Sequence, residues 1–290
     1  MKYSIMILVV VCIAALAVLF WHAKRTGEKA AAPGSMPAQQ ANLESKVAKI
    51  VIVNNDGYSS FYSGDFRTKE DLQKFVHQFK GTDVTIVEWC LGTGGTFNFD
   101  TKVGSVMGRG VDESVWKTLC RGDKLIGETV QRLIAEGNEP LRVVADQGRA
   151  DGISVFVSLR PDAFYDASYA DFSNGDFWRQ NPDKRIVGRV LPGASIGVGL
   201  SYVYPEVRQF FLDIILEAVQ RDVAGVNLDF ERRPPYFGFE KPLVEGFYAK
   251  YGFNPPGENP ELWWRYQAQF MTDFVRKVRD ELDKAEKSLG

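Results

Sequence analysis

Two carboxylates stand two residues apart in the stretch GVNLDFER, residues 225–232. Asp229 and Glu231, with Asn227 before them, alternate with apolar residues, and this period of two predicts a strand with one polar face. Side chains at such spacing lie roughly 6.5–7 Å apart, so both carboxylates can reach one ligand. Cleavage of a glycosidic bond uses one carboxyl to protonate the leaving oxygen and a second to support the transition state. We therefore predict Glu231 as the catalytic acid and Asp229 as its helper.

Polar residues also stand near the ends of the three other predicted strands. In parallel sheets these carboxyl ends meet at one edge, where ligands bind. The predicted substrate-binding residues are Asn55 and Asp56 on the first strand, Glu88 and Trp89 on the second, Arg160 on the third and Asn227 on the fourth. An alternative is that Arg160, Asp229 and Arg232 form an ion network that only fills this edge.

Strand-like and helical segments alternate along the chain, which predicts βαβ units and a parallel sheet. The predicted strands are KIVIVNNDG (49–57), VTIVEWCLG (84–92), ISVFVSLR (153–160) and GVNLDFER. The predicted helices are 68–80 with Thr68 as N-cap, 123–137, 140–152, 204–223 and 259–289. Four units are about half of a closed barrel. The predicted fold is therefore α/β: the N-terminal half of a parallel (β/α) barrel of TIM type, preceded by a membrane helix.

The first 25 residues form a separate segment, apolar from Ile5 to Trp21 with basic residues on both sides. This length is near the lower limit for crossing a bilayer and predicts a signal-anchor, with a cleaved signal peptide as the alternative. Residues 26–46 have the composition of a flexible tether, and the barrel domain is predicted for 47–290. The expected location is the cell membrane, with the domain outside the cytoplasm, or a secreted or periplasmic form after cleavage.

Composition excludes several classes of function. A net charge of -2 gives no reason to expect nucleic acid as a partner. His77 is the only histidine after the predicted anchor, which argues against a zinc site or a histidine-dependent nucleophile. The glycines of LGTGGTF (91–97) lack the spacing of a phosphate-binding loop, which disfavours a nucleotide-dependent enzyme. We predict no metal and no cofactor, and the sequence leaves the oligomeric state open.

Aromatic side chains are frequent in the long connections after the strands. They could stack on sugar rings or pack the connections against the barrel rim, and packing is the favoured interpretation. This set comprises Phe97, Phe99, Tyr165, Tyr169, Phe172, Phe177, Trp178, Tyr236 and Phe237.

GVNLDFER resembles the fourth-strand signature D-G-x-D-x-D-x-E of chitinase-type family 18 glycoside hydrolases. Gly225, Asp229 and Glu231 match it, whereas Ala224 and Asn227 stand where that signature has Asp. A wider stretch, from about Lys49 to Tyr251, resembles the glycosyl-hydrolase-like family 10 domain, a group of TIM-type barrels. This resemblance rests on residues 54–57, 140–160, 204–215 and 225–232. It implies a glycosidase class with Glu231 as the acid and Asp229 as the residue that positions the substrate.

These observations predict a glycoside hydrolase that acts on a polysaccharide or glycoconjugate, with carbohydrate as its partner. The alternative is a carbohydrate-binding or envelope-scaffold protein with the same barrel and no catalysis.

Overall fold

The computed structural model describes residues 50–165, 170–188, 198–232, 234–257 and 259–289. Its strands are β1 (Val51–Asn55), β2 (Val84–Cys90), β3 (Gly92–Thr93), β4 (Thr96–Phe97), β5 (Ser105–Val106), β6 (Ser154–Leu159) and β7 (Gly225–Leu228). Four of them form one parallel sheet in the order β1-β2-β6-β7. The spatial order of these four strands is the same as their order along the chain, as in consecutive β/α units. The predicted α/β class and the parallel sheet are confirmed.

Ten α-helices lie within the described ranges. They are α1 (Ser59–Ser63), α2 (Lys69–His77), α3 (Glu113–Thr118), α4 (Arg121–Ala135), α5 (Pro140–Asp151), α6 (Ala170–Ser173), α7 (Gly175–Gln180), α8 (Pro205–Ala218), α9 (Lys241–Tyr251) and α10 (Pro260–Leu289). Thr68 caps α2 as predicted, because its hydroxyl accepts from the Asp71 N–H while the Asp71 carboxylate accepts from the Thr68 N–H. The five predicted helices are confirmed, with boundaries shifted by a few residues.

The two faces of the parallel sheet differ in cover. Val87, Val157 and Leu159 belong to the face packed by the helices and are at most 1% exposed. The same core receives the apolar side of α8, where Phe211 and Ile215 are fully buried and each stabilises the fold by about 1.5–3 kcal/mol. The other side of the sheet, which we call the open face, carries a second row of residues. That row is Ile52 and Asn54 on β1, Ile86, Glu88 and Cys90 on β2, Ser154, Phe156 and Ser158 on β6, and Gly225 and Asn227 on β7.

The open face is apolar where the strands begin and polar where they end. Ile52 is 50% exposed, and Phe156 lies partly buried across Gly225. A Cβ at position 225 would come within 2.5 Å of the Phe156 ring, so glycine is the residue that permits this contact. The match of Gly225 to the strand signature therefore has a structural cause in this chain.

The connection after β2 is folded rather than open. β3, β4 and β5 form a small second sheet, and Phe97 in β4 and Phe99 just after it are at most 1% exposed. Asn98, which follows β4, is fully buried. Its side-chain amide donates to the backbone oxygens of Gly57 and Cys90 and accepts from the Trp89 indole. These bonds satisfy the buried polar groups, so this connection supports the end of β2.

The predicted N-terminal membrane segment, residues 1–25, lies outside the described residues. Within the described ranges, no helix combines the length and the apolarity needed to cross a bilayer.

The Asp151 carboxylate connects α5 with the end of α2. It accepts from Gln147 Nε2 at 2.6 Å, lies 3.0 Å from Lys80 Nζ and 2.9 Å from His77 Nδ1, and is 2% exposed. The Gln147 bond, followed by those of Lys80 and His77, lowers the pKa of Asp151 from 3.8 to about 2. Stabilisation by the ionised form is therefore complete above the unfolded pKa near 3.8 and is lost as the pH falls through about 2.

Replacing Asp151 by Asn is expected to lower the free energy of unfolding at neutral pH and to remove this part of its acid dependence. Urea unfolding measured from about pH 7 to about pH 2 tests this. Asp146→Asn is the matched control, since Asp146 lies on the same helix and its side chain is 55% exposed. An unchanged acid dependence in Asp151→Asn would contradict the prediction.

Candidate functional site

A hydrogen-bonded polar group lies where the open face reaches the carboxyl ends of the strands. Glu88 Oε2 accepts from Asn54 Nδ2 at 2.8 Å and from Asn227 Nδ2 at 3.1 Å. The Asn227 amide also lies 3.4 Å from Ser158 Oγ, and Ser158 is fully buried. The register explains the arrangement, because Asn54 pairs with Glu88 and Ser158 pairs with Asn227. The structure thus brings the predicted site residues Glu88 and Asn227 together and joins Asn54, a further polar residue at the end of the first strand, to them.

Arg160 and Asp229 form an ion pair beside this group. Arg160 Nε donates to Asp229 Oδ2 at 3.0 Å, and the two side chains are 10% and 16% exposed. Cys90 is fully buried near them, and burial raises the pKa of its thiol to about 11 although the Arg160 charge acts in the opposite direction. We call Asn54, Asp56, Glu88, Arg160, Asn227 and Asp229 the edge cluster.

Glu231 lies outside the sheet, which corrects the predicted strand. β7 ends at Leu228, and one further ladder bond joins the Asp229 N–H to the Leu159 carbonyl at 2.8 Å. The chain then turns, with the Glu231 N–H donating to Asp229 Oδ1 at 3.2 Å, and the Glu231 side chain is exposed. Glu231 therefore stands at the rim, next to Asp229, rather than on the inward row of a longer strand.

Asp56 is held in a tight turn after β1. Its Oδ1 accepts from the backbone N–H groups of Tyr58 and Ser59, and its Oδ2 accepts from the Ser59 hydroxyl. Burial alone raises the pKa of Asp56, but these hydrogen bonds, from Ser59 and then Tyr58, together with the Arg160 charge hold it below its usual value. Gly57 has φ +64°, and a Cβ there would lie 2.0 Å from the Cys90 carbonyl oxygen, so the turn requires glycine.

Asn55 belongs to this turn rather than to a ligand surface. Its Oδ1 accepts from the Gly57 N–H at 2.8 Å, and its register partner is Trp89 on the helix-covered face. The structure therefore shows Asn55 supporting the turn through its Oδ1.

The structure places Trp89, a predicted substrate-binding residue, on the helix-covered face, away from the edge cluster. Trp89 is fully buried, with its ring 6.2 Å from Phe61, 5.8 Å from Phe66 and 6.1 Å from Phe75 between centroids. Its indole N–H donates to Asn98 at 3.1 Å. Period-two alternation places Trp89 and Glu88 on opposite faces, so only Glu88 can belong to the open face.

Tyr236 borders the site and was not selected as a site residue from the sequence. Its hydroxyl donates to the Phe230 carbonyl, and its ring packs edge-on against Phe230 and Tyr202. Burial, followed by the charges of Asp162, Asp229 and Glu231, raises the pKa of Tyr236 to about 12. Tyr236 is therefore neutral at physiological pH and forms an apolar wall next to the two carboxylates.

Packing is confirmed as the role of most connection aromatics. Phe97, Phe99, Phe172, Trp178 and Phe237 are all at most 9% exposed. Tyr169, a further member of the predicted set, lies outside the described residues. Among the described residues, no three His, Cys, Asp or Glu side chains gather in a way that could hold a metal ion.

No protein-family model matches this chain, so neither the family 10-like domain nor family 18 is shown. A search among curated proteins finds no significant match either.

Solved structures with a similar chain trace include three bacterial proteins. An α-galactosidase from Lactobacillus brevis is 14% identical to this chain, with a TM-score of 0.45. The superposition covers 82% of this chain and 26% of the α-galactosidase. A family 36 α-galactosidase from Geobacillus stearothermophilus is 15% identical, with a TM-score of 0.46. The superposition covers 81% of this chain and 27% of that enzyme. A hypothetical protein from Ruminiclostridium thermocellum is 13% identical, with a TM-score of 0.44. The superposition covers 79% of this chain and 92% of that protein.

This chain spans about a quarter of the length of the two α-galactosidases. At these TM-scores and identities, the reaction and ligand of those proteins do not carry over to this chain. Its chemistry has to be inferred from its own residues. The edge cluster offers acceptors and amide donors for hydroxyl groups, one fixed carboxylate in Asp229 and one accessible carboxylate in Glu231.

Proposed function

We propose that this chain is a glycoside hydrolase built on half of a TIM-type barrel, acting on a polysaccharide or glycoconjugate at the edge cluster. The observation that carries the proposal is the hydrogen bond from the Glu231 N–H to Asp229 Oδ1, which keeps two carboxylates on one short segment at the ligand-binding edge of a parallel sheet. Two neighbouring carboxylates in different surroundings can divide the tasks of glycoside cleavage.

In the proposed reaction the Glu231 carboxyl donates its proton to the glycosidic oxygen as the bond to the anomeric carbon breaks. The Asp229 carboxylate, held by Arg160, stabilises the positive charge that develops on the sugar ring. Water adds to the anomeric carbon and releases one proton, and Glu231, being exposed, regains its proton from solvent.

Three other residues of the edge cluster, Asn54, Glu88 and Asn227, recognise hydroxyl groups in this proposal. Glu88 accepts hydrogen bonds, and the amides of Asn54 and Asn227 can both donate and accept. The resemblance of GVNLDFER to the family 18 strand signature supports the roles of Asp229 and Glu231. The apolar N-terminal segment supports a location at the membrane, with the domain outside the cytoplasm.

A carbohydrate-binding protein without turnover is the second candidate. The exposure of the Glu231 side chain favours it, since glycosidase acids work best where surrounding groups shield them from water. Glu88 with its two amide partners can bind hydroxyl groups whether or not a bond is cleaved.

The test is to incubate the full chain with a panel of polysaccharides and oligosaccharides, and to measure both binding and newly formed reducing ends. If the chain is a hydrolase, at least one glycan is expected to bind and to gain reducing ends over time. Binding without reducing ends would support the second candidate, and the absence of binding to every glycan would contradict both.

A further inference from the structure

We propose that Arg160 is a positioning residue, which acts on a saccharide only through Asp229 and the backbone at Glu231. The inference rests on the proposed function at this site and changes the role predicted from the sequence, where Arg160 was a substrate ligand.

The Arg160 guanidinium donates to a residue of its own chain. Arg160 Nε donates to Asp229 Oδ2 at 3.0 Å, and only 10% of the Arg160 side chain is exposed. A substrate ligand has to present its donors to the ligand, whereas this group presents a donor to a carboxylate of its own chain. The exposed surface that remains is too small for the paired contacts with which arginine usually recognises a ligand.

Asp229 uses its other carboxylate oxygen to hold the segment that carries Glu231. Asp229 Oδ1 accepts from the Glu231 N–H at 3.2 Å, just where the chain leaves the sheet. The two carboxylate oxygens thus link Arg160 on one side to the Glu231 backbone on the other. An orientation imposed on Asp229 is therefore passed on to the segment that carries Glu231.

Arg160 is supported on its opposite side by the turn after β1. Its Nη1 lies 3.5 Å from the carbonyl oxygen of Asp56, in the turn after β1. Arg160 follows β6, so its side chain connects the ends of the first and last strands of the sheet. Such supporting contacts fix catalytic groups in position, and small displacements of these groups are costly for turnover.

The experiment compares Arg160→Met with the wild-type full chain in two measurements. Amide exchange at Glu231, followed by NMR, reports the backbone directly and is expected to become roughly fivefold to tenfold faster, because Asp229 is released. Reducing-end kinetics are expected to show kcat lower by about 10²-fold, with KM within about twofold. Arg160→Lys, which keeps the charge but cannot reach both Asp229 and Asp56, should give intermediate values.

Arg149→Met is the matched control, since Arg149 is 55% exposed and pairs with Asp146 and Asp222 on the surface. It should change neither measurement. Thermal unfolding checks that the variants fold, and if Arg160→Met does not fold, the same comparison is made with Arg160→Lys.

A raised KM with unchanged kcat and unchanged Glu231 exchange would overturn the proposal and make Arg160 a substrate ligand. If the wild type shows no turnover on any glycan, the hydrolase function fails by itself. Exchange at Glu231 then still decides the positioning role: faster exchange in Arg160→Met supports it, and unchanged exchange refutes it.

Discussion

Replacing Glu231 by Gln is expected to lower turnover of a glycan substrate by about 10²–10⁴-fold, the usual contribution of a general acid. Gln keeps the size and hydrogen-bonding capacity of the side chain but has no proton to give to the leaving oxygen. Saccharide affinity should therefore stay within about threefold, since Glu88 and Asn227 remain in place. Reducing-end kinetics and calorimetric binding, measured on the same preparation, separate the two quantities.

Glu113→Gln is the control, because the Glu113 side chain is 82% exposed on a surface helix and belongs to no part of the edge cluster. It should behave as the wild type does. Equal turnover in Glu231→Gln and the wild type would exclude Glu231 as the acid, and a parallel loss of affinity and turnover would make it a binding residue instead.

Replacing Trp89 by Ala is expected to lower the free energy of unfolding by about 3–5 kcal/mol, the range for removing a large buried aromatic side chain. The change empties the space among Phe61, Phe66 and Phe75 and leaves the buried Asn98 amide without its indole partner. Urea unfolding at neutral pH measures the loss.

Trp89→Phe separates packing from recognition. Phe keeps an aromatic ring in the cluster and loses only the N–H bond to Asn98, so it should destabilise the fold by less than Ala does. Its saccharide affinity should equal that of the wild type. A normal free energy of unfolding together with lost saccharide binding in Trp89→Ala would restore Trp89 as a substrate residue.

Local patterns in the sequence were sufficient for the parallel sheet and for five of the helices. The residue types of β6 alternate and those of α5 and α8 repeat with helical period, because one side of each element is buried. Thr68 with Asp71 three positions later likewise marks the start of a helix from local chemistry alone. The small second sheet had no such signal, because its strands have two residues each and are held by tertiary contacts.

The site was predictable only in part, for reasons of register and chain direction. Glu88, Asn227, Arg160 and Asp229 follow from alternation combined with the rule that ligands bind at strand carboxyl ends. Trp89 was misplaced because proximity to that end was given more weight than its position on the opposite face. The exit of the chain after Asp229 depends on tertiary packing around Tyr236 and Phe230, which pattern alone does not reveal.

The most direct measurement of the central claim is a crystal structure of Glu231→Gln with an oligosaccharide chosen from the binding panel. The account predicts saccharide hydroxyls within hydrogen-bond distance of Glu88 and Asn227, and a glycosidic oxygen next to the residue at position 231. A saccharide bound elsewhere would contradict it, for example in the charged groove of about 690 Å³ between Asp100 and Arg221 or on the exposed Trp264 ring. The edge cluster would then be a structural network and the hydrolase proposal would fall.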